Sequence, residues 1–457
     1  MIYRAFVVAI IACSAMPLGY AEATAPNIVF LLSDDQRADA LGCSGNRIIE
    51  TPAIDQLASE GTRFTRHYIT TPICYASRAS IFTGQFVKTH GLTEFKDPFT
   101  DTQWSQCYPA VLRDAGYYTG FIGKWGIGGE LREADFDVWH GFPGQGLYFP
   151  DKQDPTVHLT TVMGEQAVDF ITNAPRDKPF ALSVSFKAPH VQDQDPRQFL
   201  YDPKLESLYA DVTIPDPPLS DPAYFNALPE FIRTSENRVR WEKRFATPEM
   251  YQTSVKGYYR LISGIDNQVA AIRATLEAEG LAENTIVVYT SDHGFYLGDR
   301  GLAGKWLLHD ESLAGPLIIH DPRIPVGERP ATRDAMTLNI DLAPTLLDLA
   351  GLSVPEGMDG QSLVPALTPG KHTTRDECFF EHHFGHDRAN PIPASEGIRT
   401  DNWKYIRYVL SQEGYEELYD LKNDPGETTN LAEIPKYTKR LEKMRVRWTA
   451  NTGSMVQ

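Results

Sequence analysis

Residues 27–35 read NIVFLLSDD, a short apolar run that ends in two adjacent carboxylates. Apolar runs with polar endings recur at residues 118–124 (YTGFIGK), 180–190 (FALSVSFKAPH) and 285–293 (TIVVYTSDH), and a fifth apolar run lies at residues 316–319. Such runs, separated by helical patterns, are typical of an α/β protein with a mainly parallel buried sheet flanked by helices. Because parallel sheets bind ligands at the carboxyl ends of their strands, the four polar endings are predicted to meet in one site.

The pattern changes near residue 369. Before it, residues 250–279 carry a long amphipathic helical pattern. After it, segments such as 403–408 (WKYIRY) alternate as antiparallel strands do. We therefore predict a large α/β domain over residues 24–368 and a smaller C-terminal domain with an antiparallel sheet over residues 369–457.

The first 23 residues have the features of a secretory signal peptide. Arg4 precedes an apolar run at residues 5–12, and an Ala-Glu-Ala sequence ends at Ala23. The alternative is a lipobox ending at Cys13, which would make the protein a lipoprotein. The run is shorter than the roughly 20 residues needed to cross a bilayer, so no transmembrane segment is predicted. We expect export to the periplasm or secretion.

Charge and cysteine content restrict the partners and the redox chemistry. A net charge of −17 argues against nucleic acid or an anionic membrane as a partner. Outside the signal sequence the cysteines are Cys43, Cys74, Cys107 and Cys378, too few for a disulfide framework in 457 residues. If Cys74 is catalytic, at most one disulfide can form, and the sequence indicates neither its pairing nor the oligomeric state.

Two acidic motifs end separate strands. Asp34 and Asp35 follow the first apolar run, and Asp292 and His293 follow the fourth. Adjacent carboxylates repel each other unless a cation lies between them, and a hard divalent cation accepts oxygen ligands. Solvated loops are the alternative, but two such pairs at strand ends favour a metal site.

Cys74 begins the segment CYASRASIFTG (residues 74–84), whose later part can start a helix. A helix N-terminus presents backbone N–H donors and positive potential, which favour an anionic nucleophile or a bound oxyanion. A free thiol packed beneath the sheet is equally compatible with this spacing.

The segment CYASRASIFTG also resembles the sulfatase signature, in which a cysteine followed by Ala or Pro at +2 and Arg at +4 is oxidised to formylglycine. The similarity runs almost continuously over residues 27–84 and continues at 291–306 (SDHGFYLGDRGLAGKW) and 418–432 (LYDLKNDPGETTNLA). The chain thus resembles the formylglycine-dependent (type I) sulfatases. That family has an alkaline-phosphatase-like α/β domain and a smaller antiparallel C-terminal domain.

The resemblance implies a role for each matching residue. It implies that Cys74 becomes the formylglycine nucleophile, made by a formylglycine-generating or equivalent maturation enzyme, and that Arg78 holds it. Lys124 and Lys305 match lysines that grip the sulfate, and His190 matches a histidine that binds sulfate or protonates the leaving oxygen. One Ca²⁺ ion is implied, bound by the formylglycine at position 74 and by Asp34, Asp35, Asp292 and His293. His293 provides nitrogen where many members have Asn, and calcium prefers oxygen.

The sequence departs from the family pattern at Gly126. Many sulfatases have a histidine there, credited with helping to expel sulfate. We predict that His309 or a histidine of residues 382–386 replaces it, or that turnover is slower. Cations and an aromatic ring in EHHFGHDR (residues 381–388) suit an anionic sugar, with a second metal site or a plain exposed loop as the alternatives. The predicted substrate-binding residues are His309, His382, His383 and Arg388.

The function implied is hydrolysis of sulfate esters. Export, the acidic surface and the histidine-rich C-terminal segment favour a sulfated polysaccharide or oligosaccharide as substrate over a small aryl sulfate. The alternatives are a phosphonate monoester or phosphodiester hydrolase of the same superfamily, and a non-catalytic protein that binds sulfated glycans.

Overall fold

The computed structural model describes residues 25–151, 154, 156–370, 375–410 and 414–453. In this part the chain forms an eight-stranded, mainly parallel sheet flanked by helices and a four-stranded antiparallel sheet nearer the C-terminus. The predicted fold class is confirmed. The predicted signal peptide, including Cys13, lies outside the described residues.

The strands are β1 (Asn27–Ser33), β2 (Thr62–Tyr68), β3 (Tyr118–Lys124), β4 (Val138–Phe142), β5 (Phe180–Ser185), β6 (Thr285–Ser291), β7 (Tyr296–Leu297), β8 (Ala303–Gly304), β9 (Leu317–His320), β10 (Thr332–Leu338), β11 (Glu377–His382), β12 (Ser395–Thr400), β13 (Trp403–Tyr408) and β14 (Glu416–Asp420). The helices are α1 (Pro52–Glu60), α2 (Cys74–Thr83), α3 (Val87–His90), α4 (Asp101–Trp104), α5 (Tyr108–Asp114), α6 (Leu159–Asn173), α7 (Pro222–Asn226), α8 (Glu230–Arg233), α9 (Glu236–Arg244), α10 (Pro248–Ala278), α11 (Asp310–Leu313), α12 (Leu342–Leu349) and α13 (Thr438–Gly453).

The large sheet has the strand order β10-β2-β9-β6-β1-β5-β3-β4. Its neighbouring strands are parallel except where β9 pairs with β2 and with β6. The five predicted apolar strands are β1, β3, β5, β6 and β9, and the predicted segment 403–408 is β13. Since β6, β1, β5 and β3 are adjacent and parallel, their carboxyl ends lie side by side.

Both faces of the sheet are covered, which explains why its central strands are apolar throughout. Along β1, Val29 and Leu31 face a core shared with α1, α6 and α10. Phe30 and Leu32 face the opposite core, shared with α2, α5 and α12. This alternation is the two-residue period of a strand, and each fully buried aliphatic or Phe side chain contributes about 1.5–3 kcal/mol to stability.

Three strands of the large sheet, β2, β4 and β10, are absent from the sequence analysis. β4 and β10 are the sheet edges and β2 lies next to β10. Their sequences mix polar and apolar residues because several of their side chains are exposed or half-buried. An apolar run, the signal that identifies a central strand, is therefore missing from them.

The antiparallel sheet, in the order β11-β12-β13-β14, packs directly against the large domain. Phe380 of β11 meets the ring of Tyr68 edge-on, with centroids 6.1 Å apart. Beside this contact, Asp310 accepts hydrogen bonds from Arg399 at 2.7 Å and from Lys404 at 2.5 Å. The interface thus joins an apolar core to buried ion pairs.

Two further sequence expectations concern membranes and disulfides. Among the described helices, none is long and apolar enough to span a membrane. Cys43, Cys107 and Cys378 are all free thiols in the structure. The single disulfide that the sequence allows is therefore not formed among them.

The interface gives a stability prediction for Phe380, which is 0% exposed. Replacing it with alanine leaves a cavity between the two sheets, and we expect a loss of about 3–5 kcal/mol in unfolding free energy. Thermal unfolding of Phe380→Ala should show a clearly lower midpoint. The control is Val446→Ala, at a side chain that is 66% exposed, where the change should stay within about 0.5 kcal/mol. Equal midpoints in the two variants would contradict the packing described.

Candidate active site

The four polar strand endings meet in one buried cluster, as the strand order requires. The sequence predicted this convergence from the position of each motif after a strand. The cluster contains Asp34 and Asp35 after β1, Lys124 at the end of β3, Lys187 and His190 after β5, and Asp292 and His293 after β6.

Cys74 is the first residue of α2, so its side chain lies at a helix N-terminus. Its Sγ lies 3.7 Å from Asp34 Oδ1 and 3.5 Å from Lys305 Nζ. The thiol is 2% exposed. Cys74 is therefore enclosed within the cluster and not beneath the sheet, which was the alternative left open by the sequence.

Arg78, one turn further along α2, connects the ends of four strands. Its guanidinium donates to Asp34 Oδ2 at 3.0 Å and to Asp292 Oδ2 at 3.1 Å. It also donates to the carbonyl oxygen of Lys124 at 3.0 Å and to the hydroxyl of Ser185. Burial opposes the charged form, but Asp292 and Asp34 raise the pKa of Arg78, which stays charged.

The lysines neutralise the first acidic pair. Lys124 Nζ is bonded to Asp34 Oδ2, and Lys305 Nζ lies 2.7 Å from Asp35 Oδ1. Burial alone would raise the pKa of Asp34, but Lys124 and its cationic neighbours hold this pKa well below its usual value. For Asp35, burial outweighs Lys305 and raises the pKa. The two adjacent carboxylates are thus unequal, and Asp35 is the less fully compensated.

The acidic residues have a geometry that fits a metal ion. One ligand atom from each of Asp34, Cys74, Asp292 and His293 lies within 4.8 Å of the others. Asp35 Oδ2 and His293 Nε2 are buried, and neither atom has a hydrogen-bond partner in the described part of the chain. Burial opposes protonation of His293, yet Asp292 raises its pKa to about 9, so the site attracts positive charge. Three carboxylates fit Ca²⁺, and His293 is the one nitrogen donor.

His190 lies beside the acidic pair with a defined orientation. Its Nδ1 is 2.7 Å from the carbonyl oxygen of Val191, which only accepts, so Nδ1 carries the proton. Its Nε2 faces Asp35 Oδ2 at 3.6 Å. Burial and the nearby Lys305 hold the pKa of His190 well below its usual value, so the ring is neutral and Nε2 bears a lone pair.

Two side chains at the site are missing from the predicted set. Lys187 is buried, its Nζ lies 4.8 Å above the ring of Tyr148, and burial lowers its pKa to about 8. It follows β5 in the FKAPH motif. The criterion of a polar residue directly after an apolar strand, which points to His190, therefore applies equally to Lys187. Gln145 is exposed, and its Oε1 accepts a hydrogen bond from Lys124 Nζ at 2.7 Å. It lies in a loop after β4, where no sequence pattern marks it.

His309 lies in the contact between the two sheets, which does not fit its predicted substrate-binding role. Its Nδ1 is 2.7 Å from the hydroxyl of Tyr296, and its Nε2 is 3.4 Å from both Tyr419 Oη and Glu417 Oε2. The ring is 0% exposed. A ring enclosed in this way has no open edge for a sugar.

The three other predicted substrate residues differ in their surroundings. His382 is fully buried, neither ring nitrogen has a hydrogen-bond partner among the described residues, and burial lowers its pKa to about 3. It lies on the face of β11 that packs against the large domain, and the preceding residue, Glu381, donates its N–H to the carbonyl oxygen of Thr70. His383 is half-exposed and bonded to Glu396 at 3.0 Å. Arg388 is exposed.

The structure explains why position 126 has no histidine. Gly126 has a φ of +74°, and a Cβ atom there would lie 2.6 Å from Arg78 Cδ. The loop after β3 passes so close to Arg78 that, with this backbone path, any Cβ at position 126 would force the Arg78 side chain to move. A histidine would displace the side chain that holds the strand ends together.

This contact predicts that Gly126→Ala lowers both stability and activity. The left-handed backbone alone costs about 1 kcal/mol, and the displaced Arg78 adds to that. Gly91→Ala is the matched control, because Gly91 has a φ of +70° but nothing within 4 Å of its Cβ position. The midpoint of thermal unfolding should fall far more in Gly126→Ala, and so should the activity of the purified protein. Equal effects in the two variants would mean that the approach to Arg78 is unimportant.

Comparison with known proteins identifies relatives over nearly the whole chain. A family model described as Sulfatase matches residues 26–352, and one described as N-sulphoglucosamine sulphohydrolase, C-terminal, matches residues 298–452. An arylsulfatase of Clostridium perfringens is 30% identical over 92% of this chain and 93% of its own length. An N-acetylglucosamine-6-O-sulfatase of Bacteroides thetaiotaomicron is 29% identical over 93% of this chain and 85% of its own length.

A solved structure shows the same fold. It is described as a complex with its substrate D-glucosamine-2-N,6-O-disulfate and superposes with a TM-score of 0.81 at 26% identity. The match covers 94% of this chain and 98% of the other.

Proposed function

The chain belongs to the sulfatase family, and we propose that it removes sulfate esters from a sulfated carbohydrate through a formylglycine made from Cys74 and one bound calcium ion. It is a sulfatase enzyme by family membership. The observation that carries the finer proposal is the position of Cys74 Sγ, 3.7 Å from Asp34 and 3.5 Å from Lys305 in a cluster that fits a metal. The signal-like N-terminus supports export to the periplasm or beyond the cell.

The proposed substrate is a sulfated oligosaccharide or polysaccharide. Two observations support a sugar: one relative is named an N-acetylglucosamine-6-O-sulfatase, and a solved relative was crystallised with a disulfated glucosamine. The buried cluster supplies the sulfate-binding part. The sugar would lie outside it, because Cys74, Lys124 and Lys305 are almost completely enclosed.

Calcium would be held by Asp34, Asp35, Asp292 and His293 together with the oxygen of residue 74, where it would supply positive charge beside the sulfate ester. The chain's own cations would complete the binding of the anion. Lys305 lies 3.5 Å from Cys74 Sγ and Lys124 contacts Asp34 in the same cluster. Both would donate to sulfuryl oxygens, and Arg78 fixes the carboxylates in place. Such preorganised donors stabilise the charge that develops during reaction.

Oxidation of Cys74 would replace its CH₂SH group by an aldehyde, whose hydrate provides one hydroxyl to attack sulfur and a second whose collapse releases sulfate. The departing sugar oxygen needs a proton. His190 is placed to give it, since Nδ1 is fixed by Val191 and Nε2 points into the cluster. Nε2 is unprotonated in the resting site, so it has to take up a proton before the alkoxide leaves. A bound anionic sulfate favours that uptake.

One prediction of this function tests whether residue 74 is the nucleophile. Cys74→Ala should abolish sulfate release with little change in thermal stability, because one small side chain is removed from a cleft. Mass spectrometry of the wild-type peptide containing position 74 should show the aldehyde in place of the thiol. Cys43→Ala, at a free thiol elsewhere, is the control and should keep full activity. Substantial activity in Cys74→Ala would rule out the proposed nucleophile.

The purified wild-type protein can also distinguish sulfatase activity from the alternative phosphonate hydrolase activity. Wild-type protein should hydrolyse an aryl sulfate faster than the matching aryl phosphonate monoester. A clear preference for the phosphonate would favour the phosphonate hydrolase alternative.

A second prediction concerns the metal. Asp34→Asn and Asp292→Asn each remove a charged oxygen ligand and should lower the calcium content of the purified protein. Calcium is measured by elemental analysis, together with sulfate release before and after chelation. Asp334→Asn, at a carboxylate whose side chain is 80% exposed, is the control and should bind calcium as the wild type does. Wild-type calcium content in both site variants, with chelator-resistant activity, would refute the site.

A third prediction concerns the base that replaces the family histidine absent at Gly126. Of the candidate histidines, His309 is enclosed between Tyr296 and Tyr419, whereas His382 has both nitrogens free. We expect His382→Ala to give a burst of about one equivalent of desulfated product and then slow turnover, because release of sulfate from residue 74 becomes limiting. His383→Ala should show no burst. Burst-free, unchanged kinetics in His382→Ala would exclude His382 from this role.

A further inference from the structure

Three aromatic rings from separate segments meet, and one of them belongs to the residue that follows Cys74. Tyr75 directly follows Cys74 in α2, Phe95 lies in the loop after α3, and Phe384 lies just after β11. The ring centroids are 4.6 Å apart for Tyr75 and Phe95, 5.7 Å for Tyr75 and Phe384, and 5.2 Å for Phe95 and Phe384. We refer to these three residues as the aromatic wall.

The aromatic wall has one buried end and one exposed end. At its inner end Tyr75 is 3% exposed and packs in one cluster with Ile73 and Trp306, which adjoin Cys74 and Lys305 in the sequence. At its outer end Phe95 is 41% exposed, and Phe384 is half-buried. A large apolar ring that stays in water, in contact with the ring of the residue that follows Cys74, is a surface that a ligand can cover.

Arg388 lies on this wall and has no acidic partner. Its guanidinium carbon is 4.4 Å from the centroid of Phe384, a cation–π arrangement. Within the part of the chain that the structure describes, Arg388 forms no ion pair, although it is exposed and the chain has a net charge of −17. The cations of the buried cluster differ, because Lys124 and Lys305 are each paired with a carboxylate.

The neighbouring charges leave Arg388 as the available cation. His383, on the same loop, is bonded to Glu396. On the Phe95 loop, Asp97 accepts hydrogen bonds from the backbone N–H groups of Thr93 and Glu94 at 2.9 and 2.8 Å. Among the described residues, neither Asp97 nor Glu94, which directly precedes Phe95, is paired with Arg388. Arg388 therefore presents several free N–H donors, already oriented by stacking, to a ligand on the wall.

We propose that the aromatic wall and Arg388 form a subsite for a saccharide ring that carries a second anionic group, a carboxylate or another sulfate, next to the ester being cleaved. This inference rests on the proposed function, because it assumes that the ester sulfate occupies the Cys74 cluster. The apolar face of the sugar covers Phe384 and Phe95, and the guanidinium forms paired hydrogen bonds with the second anion. The subsite would select acidic saccharides over small aryl sulfates.

The test compares Arg388→Gln with wild type on three substrates. These are a saccharide with one sulfate and no other charge, the same saccharide with a second anionic group, and a small aryl sulfate. Loss of a charge-assisted pair of hydrogen bonds should raise KM for the doubly anionic saccharide by roughly tenfold or more, with kcat little changed. KM for the other two substrates should stay within about twofold, and the difference should shrink at high salt.

Arg440→Gln is the matched control, because Arg440 also stacks on an aromatic ring, at 4.6 Å from the Trp403 centroid, but lies on α13. It should behave as wild type on all three substrates. Phe384→Leu should raise KM for both saccharides, since both lose the stacking face, while Arg388 and its charge remain.

The outcomes separate the two proposals. If Arg388→Gln matches Arg440→Gln on the doubly anionic saccharide, or if KM rises equally on all three substrates, the subsite is refuted while sulfate release by the wild type still supports the proposed function. If wild-type protein with the modified residue 74 releases sulfate from none of the substrates, the proposed function fails and the subsite fails with it.

Discussion

The buried guanidinium of Arg78 is the interaction on which the site depends. It binds Asp34 after β1, Asp292 after β6, the last carbonyl of β3 and the hydroxyl of Ser185 at the end of β5. A charge removed from water is tolerated only when it is paired and hydrogen-bonded, and removing one partner of such a pair typically costs about 3–5 kcal/mol. Arg78 therefore fixes the spacing of four strand ends. Gly126 packs directly against the Arg78 side chain, and a larger residue there would displace Arg78 from these partners.

The local charge explains how an acidic protein binds an anionic substrate. The three carboxylates of the cluster, Asp34, Asp35 and Asp292, are matched by Arg78, Lys124 and Lys305. Adding a divalent cation makes the cluster positive, and charges farther away than about 8 Å are largely screened at physiological salt. The net charge of −17 thus affects the rate at which substrate meets the protein and the solubility of the protein, while the buried cluster determines what binds.

Much of the site was predictable because a central parallel strand has a simple sequence pattern. An apolar run followed by polar residues identified Asp34, Lys124, His190 and Asp292, and the strand order brings those ends together. The edge strands lack this apolar pattern. Gln145 reaches the site from a loop, where neither periodicity nor a motif marks a position.

Other features depend on contacts that only the folded chain defines. The missing histidine at position 126 and the cation-rich segment 381–388 suggested several substrate ligands, but His309 is buried between the sheets and bonded to Tyr296. The absence of a histidine at position 126 suggested that another histidine replaces it or that turnover is slower, and the structure adds that Gly126 packs closely against Arg78. The arginine on the aromatic wall was predicted as a substrate ligand. Phe384 lies in the same predicted segment, whereas Tyr75 and Phe95 come from distant segments and were not predicted.

The most direct test of the central claim, that residue 74 takes the sulfuryl group from the substrate, uses Cys74→Ser. A serine at this position lacks the second hydroxyl that lets a hydrated aldehyde eject sulfate, so the transferred group should stay on the protein. Cys74→Ser is incubated with a sulfate ester that the wild type hydrolyses, and the peptide containing position 74 is analysed by mass spectrometry. We expect one sulfuryl group on the introduced serine, formed only when substrate is present. An unmodified serine, together with sulfate release by this variant at the wild-type rate, would contradict the claim.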